Sequence, residues 1–466
     1  MPIQKFNPVL TGLILVLTLI ILSPATAAKL TNGQSCNYFE YSTLLGGSER
    51  DFMKKITPTN DGGIFAVMYS NSTGFFTTKT TQSDLDTYIL KFEATGTVSR
   101  IIGPLGGSGD DMGETLAIDT NGDLLLIGFT TSTDLPVTTN ALSTTFQGGY
   151  SDGFLMRLSP DGSQTKYCSY LGGQNYDYLS QIKLDAAGNI WLTGHSNSSN
   201  YPVTANALDT TLNGDLDITL TKLTNACDSI IYSTYIGGSD RDYNIQNINI
   251  DSAGNLFLTG ATQSANFPVT TNAYDTSLNA NYSDAFVLKF DPSTYQLVFS
   301  TFLGGSSNDY SMGSDLLPDG RLAITGYSQS LDFPVTTNAM DTVGDTSADA
   351  FFTIMKSDGS GLDYSTYIGK LGGEYGLVLS CDTQGIITIG GQTGSVRDLP
   401  CSPGAMDTTN AGGWELFVMR WDSRTNTMVH FTLLGGSNDD YFTGIVPETN
   451  GSVWFSGWSN STIGFP

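Results

Sequence analysis

Through most of the chain apolar and polar residues alternate with a period of two, in short runs separated by glycine-rich turns. Such alternation predicts strands, whereas helical spacing is nowhere sustained after the first 28 residues. A representative hairpin runs from Ile248 to Gly260, with alternating apolar residues on both sides of Asp251-Ser252-Ala253-Gly254-Asn255. Glycine in that turn supplies the positive φ that closes the hairpin. The turn recurs at Asp119 to Asp123, Asp185 to Asn189 and Asp382 to Gly385. A third strand is predicted over Asp284 to Phe290, matched by Asp86 to Phe92, Asp152 to Leu158 and Asp349 to Met355. A fourth ends in a Tyr-Ser-Thr phrase, as in Tyr232 to Gly238 and Tyr364 to Gly369.

Gly-Gly pairs begin at 46, 106, 172, 237, 304, 372 and 435, so one unit of about 65 residues repeats seven times. The units fill residues 29–466 as a single domain. Seven sets of four antiparallel strands predict an all-β fold, a β-propeller. Solenoid repeats are shorter, roughly 20–45 residues, and separate sandwiches need roughly 100 residues each. Lys29 to Leu45 match the tail of a unit, with its fourth strand over Tyr38 to Leu45. The last unit supplies a first hairpin, Gly444 to Gly457, and stops at Phe465-Pro466 inside a phrase that elsewhere continues. The closing blade is therefore expected to be split between the termini and incomplete, with strand three missing. On this pattern the chain reads as a fragment; a blade of three strands is the alternative.

The first 28 residues follow another pattern: Lys5, the 14-residue apolar run Val9 to Leu22, then Ser23-Pro24-Ala25-Thr26-Ala27-Ala28. That is the layout of a secretory signal peptide cleaved after Ala27 or Ala28. The run falls short of the roughly 20 residues that span a bilayer as a helix; an uncleaved anchor is the alternative. No second apolar run follows, so the mature chain is expected to be secreted or at the cell surface, with no membrane span. Five cysteines make an odd count for such a chain. Cys381 and Cys401, within one repeat, are the pair that could bridge, and no metal-ligand spacing is present. With 45 acidic and 20 basic residues the net charge is −25. Nucleic acid, which requires a basic patch, is thereby excluded as a partner.

The units resemble the SBBP bacterial β-propeller repeat family, found in exported and cell-surface proteins. The resemblance is carried by Tyr232-Ser233-Thr234-Tyr235-Ile236-Gly237-Gly238, Asp251-Ser252-Ala253-Gly254-Asn255 and Phe267-Pro268-Val269-Thr270-Thr271-Asn272-Ala273. It extends over nearly the whole mature chain and implies fold and export, with no catalytic activity to carry over. Repeat one lacks the Phe-Pro phrase. Repeat six departs at Ile368-Gly369-Lys370-Leu371-Gly372-Gly373 and Leu399-Pro400-Cys401.

In this topology the long loop between strands two and three shares a face with the crossing to the next blade. In units two to six it takes 23 to 25 positions, a length that usually carries function or local structure. The face is acidic. Asp111, Asp177, Asp242, Asp309 and Asp440 open first strands, and Asp86, Asp152, Asp217, Asp284 and Asp349 open third strands, with Glu415 substituting in unit six. A ring of carboxylates suits Ca²⁺ or a cationic partner. Repetition in every blade instead favours acceptors for the backbone N–H groups of each turn. Asp111, Asp152, Asp177, Asp217, Asp242, Asp284, Asp309 and Asp349 are thus the ligand-face candidates, with calcium as the one cofactor to consider. Trp458, after a second strand, is added as the tryptophan expected to be exposed.

A catalytic constellation should break the repeat at one place. His195 stands where sister units have Phe129, Ala261, Tyr327 and Trp458, and His430 replaces a repeated tyrosine. Neither has an evident nucleophile and orienting acid beside it. The leading expectation is an exported, non-catalytic and monomeric module that binds a protein or glycan at a bacterial surface. A secreted polysaccharide hydrolase or lyase on the same fold is the alternative.

Overall fold

The computed structural model describes the backbone of residues 15–21 and 39–44. It describes residues 45, 49–72, 84–279, 282–369, 372–395, 399–448, 452–459 and 461 in full, apart from the side chains of 244–246. Every regular element among these is a strand. Six antiparallel sheets of four strands follow one another, each in chain order. Blade one comprises Asp51–Pro58, Ile64–Ser70, Asp86–Phe92 and Val98–Leu105. Blade two comprises Asp111–Ile118, Leu124–Thr130, Asp152–Leu158 and Thr165–Leu171. Blade three comprises Asp177–Leu184, Ile190–Ser196, Asp217–Leu223 and Ile230–Ile236. Blade four comprises Asp242–Ile250, Leu256–Thr262, Asp284–Asp291 and Gln296–Leu303. Blade five comprises Asp309–Leu316, Leu322–Ser328, Asp349–Met355 and Leu362–Ile368. Blade six comprises Glu374–Cys381, Ile386–Thr393, Glu415–Asp422 and Thr427–Leu434.

First strands of successive blades lie side by side around an axis. Asp440–Pro447, paired with Ser452–Ser459, packs against the first strands of both blade six and blade one, which closes the ring. The sheet to which these two belong draws on both ends of the chain. Phe39–Leu44 takes the outer place as expected, but the third place is not empty: Leu15–Ile21 lies between Ser452–Ser459 and Phe39–Leu44. An apolar, β-branched run such as Leu-Val-Leu-Thr-Leu-Ile-Ile suits a buried strand as well as it suits a leader. It differs from the other third strands in two ways. It lacks the opening acid, and it pairs with its inner neighbour over Thr18 to Ile21 alone, where Asp284–Asp291 pairs along the whole of Leu256 to Thr262.

The core lies between blades. Trp191, Leu220 and Tyr232 of blade three pack on Leu258, Phe286 and Leu288 of blade four, and comparable clusters recur around the ring. Truncating such a side chain, as in Phe286→Ala, costs about 3–5 kcal/mol. The third strands of blades one, two and five are buried from end to end, because a neighbouring strand flanks each edge and a blade covers each face. The fourth strands of blades two to six start more exposed and end buried, whereas Val98–Leu105 of blade one stays largely exposed.

The fourth strand is an edge, with backbone groups in need of partners. The long loops supply them, so the loops fold down along the blade instead of standing on the rim. Thr204, Thr270 and Thr336 N–H groups donate to the carbonyls of Ser233, Ser300 and Ser365 at 2.9 to 3.0 Å. This gives the Tyr-Ser-Thr phrase a physical reason. The hydroxyls of Tyr167, Tyr232 and Tyr364 accept the loop N–H of Leu142, Leu208 and Met340 at 2.9 to 3.0 Å. The phrase's threonine takes the next contact, Thr234 Oγ1 accepting Asp209 N–H at 2.9 Å. Phe267 and Phe333 of the Phe-Pro phrase stack on Phe286 and Phe351 at 4.7 and 4.5 Å.

Cys168, Cys227, Cys381 and Cys401 are free thiols. The Cys381–Cys401 bridge is therefore not formed; both pack instead against one apolar cluster between blades five and six. No helix among the described residues is long and apolar enough to cross a membrane.

Candidate functional site

The acids that open first strands point under the Gly-Gly crossing, not out to solvent. Asp111 Oδ2 accepts Gly107 N–H and Ser132 Oγ–H, both at 2.7 Å, and Oδ1 accepts Thr130 Oγ1–H. Asp177 holds Gly173 and Ser198 at 2.7 Å together with Ser196. Asp242 holds Gly238 at 2.7 Å and Ser264 at 2.9 Å together with Thr262. Asp309 holds Gly305 at 2.7 Å and Ser330 at 2.8 Å. The sequence counterpart is the Ser or Thr, x, Ser ending of each second strand.

Third-strand acids cap the long loop just before they enter the sheet. Asp152 accepts Gln147 N–H at 2.6 Å, Asp217 accepts Asn213 at 2.9 Å, Asp284 accepts Asn279 at 2.9 Å and Asp349 accepts Asp345 at 2.7 Å. All eight candidate aspartates are at most 3% exposed. The two sets meet at each crossing. A Cβ on Gly237 would lie 2.6 Å from Asp217 and 2.8 Å from Asp242, so glycine is required there. Burial, with the neighbouring carboxylate adding to it, raises Asp152 and Asp284 to about 7. Burial likewise raises Asp217, Asp242 and Asp309 to about 6. Among the described residues no three His, Cys, Asp or Glu side chains gather as a metal site would need.

The residue after each opening acid builds a different feature. Strand alternation turns it away from the acid, toward the axial mouth. Phe52, Tyr178, Tyr243, Tyr310, Tyr375 and Tyr441 stand there, with Met112 in blade two. Each faces the penultimate residue of the adjoining second strand, as Tyr178 faces His195, Tyr310 faces Tyr327 and Tyr441 faces Trp458. These rings are half-buried. They stack within blades, with centroids 4.8 Å apart for Tyr178–His195, 4.9 Å for Tyr310–Tyr327 and 3.8 Å for Tyr441–Trp458. They also touch across blades, at 5.0 Å for Phe129–Tyr178 and 4.7 Å for Tyr327–Tyr375.

Five members of the belt, Tyr178, His195, Tyr243, Tyr310 and Tyr327, line a cup of about 530 Å³ on the propeller axis. One wall carries an ion pair, Lys54 to Glu114 at 2.9 Å. Burial opposes the Lys54 charge, but Glu114 together with Tyr69 and Tyr176 outweighs it and holds the ammonium above its usual range. Burial drives His195 down to about 4, so its imidazole is neutral at pH 7. Below the rings, Lys55 Nζ donates to Gln181 Oε1 at 2.7 Å and Asn247 Oδ1 at 2.9 Å. None of the ligand-face candidates lines this cup; Trp458 is half-buried and stacked on Tyr441 outside its lining. The signal in the sequence is the acid-aromatic dipeptide at six of seven strand openings, Asp51-Phe52 to Asp440-Tyr441.

Residues 231–268 match the model of the SBBP beta-propeller repeat. No curated protein matches the chain in sequence. Among solved structures it is similar to BamB from Moraxella catarrhalis, with TM-score 0.37 and 12% identity over 87% of this chain and 95% of that one. A PL25 polysaccharide lyase, an ulvan lyase, gives TM-score 0.44 and 10% identity over 87% and 91%. A NanB sialidase from Streptococcus pneumoniae gives 0.36 and 9% over 87% and 64%. The chain is a β-propeller that carries the SBBP repeat.

Proposed function

We propose that the protein is an exported, non-catalytic binding module that acts at a bacterial surface as a monomer and takes a saccharide in the axial cup. The observation that carries this reading is the belt of half-buried, mutually stacked rings around one mouth of the axis. Aromatic faces already held by stacking lose little freedom when a sugar ring lies on them. A cup of about 530 Å³ is within the usual range for small-ligand sites. The repeated carboxylates are committed to turns and leave the rim to serve as scaffold.

A glycan array followed by calorimetry tests the proposal. Wild type is expected to bind a subset of saccharides, and Tyr310→Ala, which removes a ring lining the cup, to weaken that binding by about tenfold, as loss of an aromatic anchor does. Release of reducing ends or of unsaturated sugar in the same mixtures would replace the module by an enzyme. The non-repeated Lys54, Glu114 and His195 would then be the first residues to substitute.

A further inference from the structure

The closing blade differs from the other six in its third strand, and those six show what that place is built to take. In five of them the sixth residue of the third strand is a cation: Lys91, Arg157, Lys222, Lys289 and Arg420. Strand register sets Lys222 opposite Trp191 and Lys289 opposite Phe257 on the neighbouring second strands. Each ammonium lies over that ring, 5.0 and 4.8 Å from its centroid, and pairs with the acid of the hairpin turn, Asp185 at 3.0 Å and Asp251 at 2.9 Å. Lys91, Arg157 and Arg420 reach the turn acids Asp61, Asp119 and Asp382 at 2.7, 3.4 and 4.0 Å. Blade five has Ile354 in the cation's place, and there Leu317 stands where Asp251 opens its turn. Cation and turn acid are thus present together or absent together.

The closing blade carries the receiving half of this pair. Glu448 opens its turn as Asp251 opens that of blade four, and Trp454 takes the place of Phe257. Glu448 accepts Ser452 Oγ–H and Trp454 Nε1–H, both at 2.6 Å. Such bonds do not compete with a cation: Asp251 accepts the N–H groups of Ala253 and Asn255 and the Asn255 side-chain amide, and takes Lys289 in addition. The segment in the third place does not match this half. Leu15–Ile21 sets Leu19 opposite Trp454, an apolar residue at the cation's register position. On the export reading above, that segment is removed, which opens one place between Ser452–Ser459 and Phe39–Leu44. The wall along Ser452–Ser459 is apolar on both faces, Val453 and Phe455 packing with blade six and Trp454 with blade one.

We propose that the exported protein takes up an extended segment of a partner polypeptide in this third place by strand addition, and recognises it by a Lys or Arg set opposite Trp454 and beside Glu448. The proposal rests on the export reading and is independent of the saccharide. Main-chain hydrogen bonds to the flanking strands supply affinity, and alternate side chains supply specificity. The cation gains the Trp454 face and the Glu448 carboxylate together. A segment patterned like Asp284–Asp291 satisfies the place, with an acid first, apolar residues toward both neighbouring blades and a cation sixth. A carboxylate at the sixth position would meet Glu448 as a like charge and be rejected.

The test uses protein secreted from a bacterial host, its first residue read by N-terminal sequencing, and a labelled peptide with the sequence of Asp284 to Asp291. Fluorescence anisotropy should show this peptide binding tighter than its Lys289→Glu form by about tenfold or more, as like-charge juxtaposition demands. Hydrogen exchange should show protection gained in Ser452–Ser459 and Phe39–Leu44 when the peptide is added. Glu448→Lys, checked for an unchanged thermal melt, should reverse the order of the two peptides. If that variant fails to fold, the peptide comparison and the exchange map on wild type decide by themselves. Absence of binding, equal binding of both peptides, or protection confined to other blades overturns this inference alone. Cleaved protein that self-associates, with Ser452–Ser459 protected before any peptide is added, overturns it and assigns the place to a second copy. Secreted protein that retains Leu15–Ile21 overturns it together with the reading of that run as a cleaved leader.

Discussion

Replacing Asp152 by Asn should stabilise the protein, and the gain should grow with pH. Asp152 is fully buried; its Oδ2 accepts Gln147 N–H, while Oδ1 has no hydrogen-bond partner among the described residues. That Oδ1 and Asp177 Oδ2 both border Gly172: a Cβ there would lie 3.0 Å from one and 2.9 Å from the other. Burial and this neighbour lift Asp152 from 3.8 to about 7. A pKa raised by folding means that the folded state keeps a proton which the unfolded chain gives up. The group's contribution to stability is then complete below about pH 4 and is lost as pH rises through about 7. The lift corresponds to about 4 kcal/mol at most, and relaxation around an ionised pair reduces it to about 2 kcal/mol. Asparagine keeps the acceptor for Gln147 and can turn an amide N–H toward Asp177. Denaturant melts at pH 4, 5.5, 7 and 8.5 should show no difference at the lowest pH. The advantage of Asp152→Asn should open between pH 4 and 7 and then level off. A variant equally stable or less stable at every pH would refute the reasoning, because it would mean that Asp152 is ionised and well solvated.

Other perturbations separate the remaining parts of the account. Chelator should leave the melting temperature within about 1 °C, because the candidate carboxylates already accept turn N–H groups and a bound ion would add stability by mass action; a large drop reversed by Ca²⁺ would return the acids to a ligand role. Tyr364→Phe should cost about 1 kcal/mol in denaturant melts by leaving the Met340 N–H without its acceptor. An unchanged midpoint would mean that the loop clamp does not contribute. N-terminal sequencing of protein secreted from a bacterial host should find Ala28 or Lys29 as first residue, whereas a retained Leu15–Ile21 would keep that segment in the closing sheet.

The fold was legible because its determinants are local and repeated. Asp284 to Phe290 was expected as a strand and is found as Asp284–Asp291. The Asp251 turn closes as read, with Gly254 at φ +90° and Asp251 Oδ1 accepting the N–H groups of Ala253 and Asn255. What the pattern could not tell was which side of a turn an acid faces. Asp242 and Asp217 belong to different blades and meet only at Gly237, so their burial depends on the crossing between blades. The aromatic belt was hidden for the same reason. Tyr178 and Phe129 look like unrelated core residues until blades two and three are set side by side. Lys55 was the least legible, since its partners lie on blades three and four across the axis. The apolar run around Leu15–Ile21 satisfies two patterns at once, leader and buried strand, and hydrophobicity alone does not separate them.

The central claim, that the axial cup is a saccharide seat, meets its most direct test in a crystal structure of the protein grown with a saccharide that the array selects. The account predicts a sugar ring within the cup, lying on the Tyr178–His195 or Tyr310–Tyr327 pair. Saccharide bound along the outer loops, with the cup empty, would contradict it.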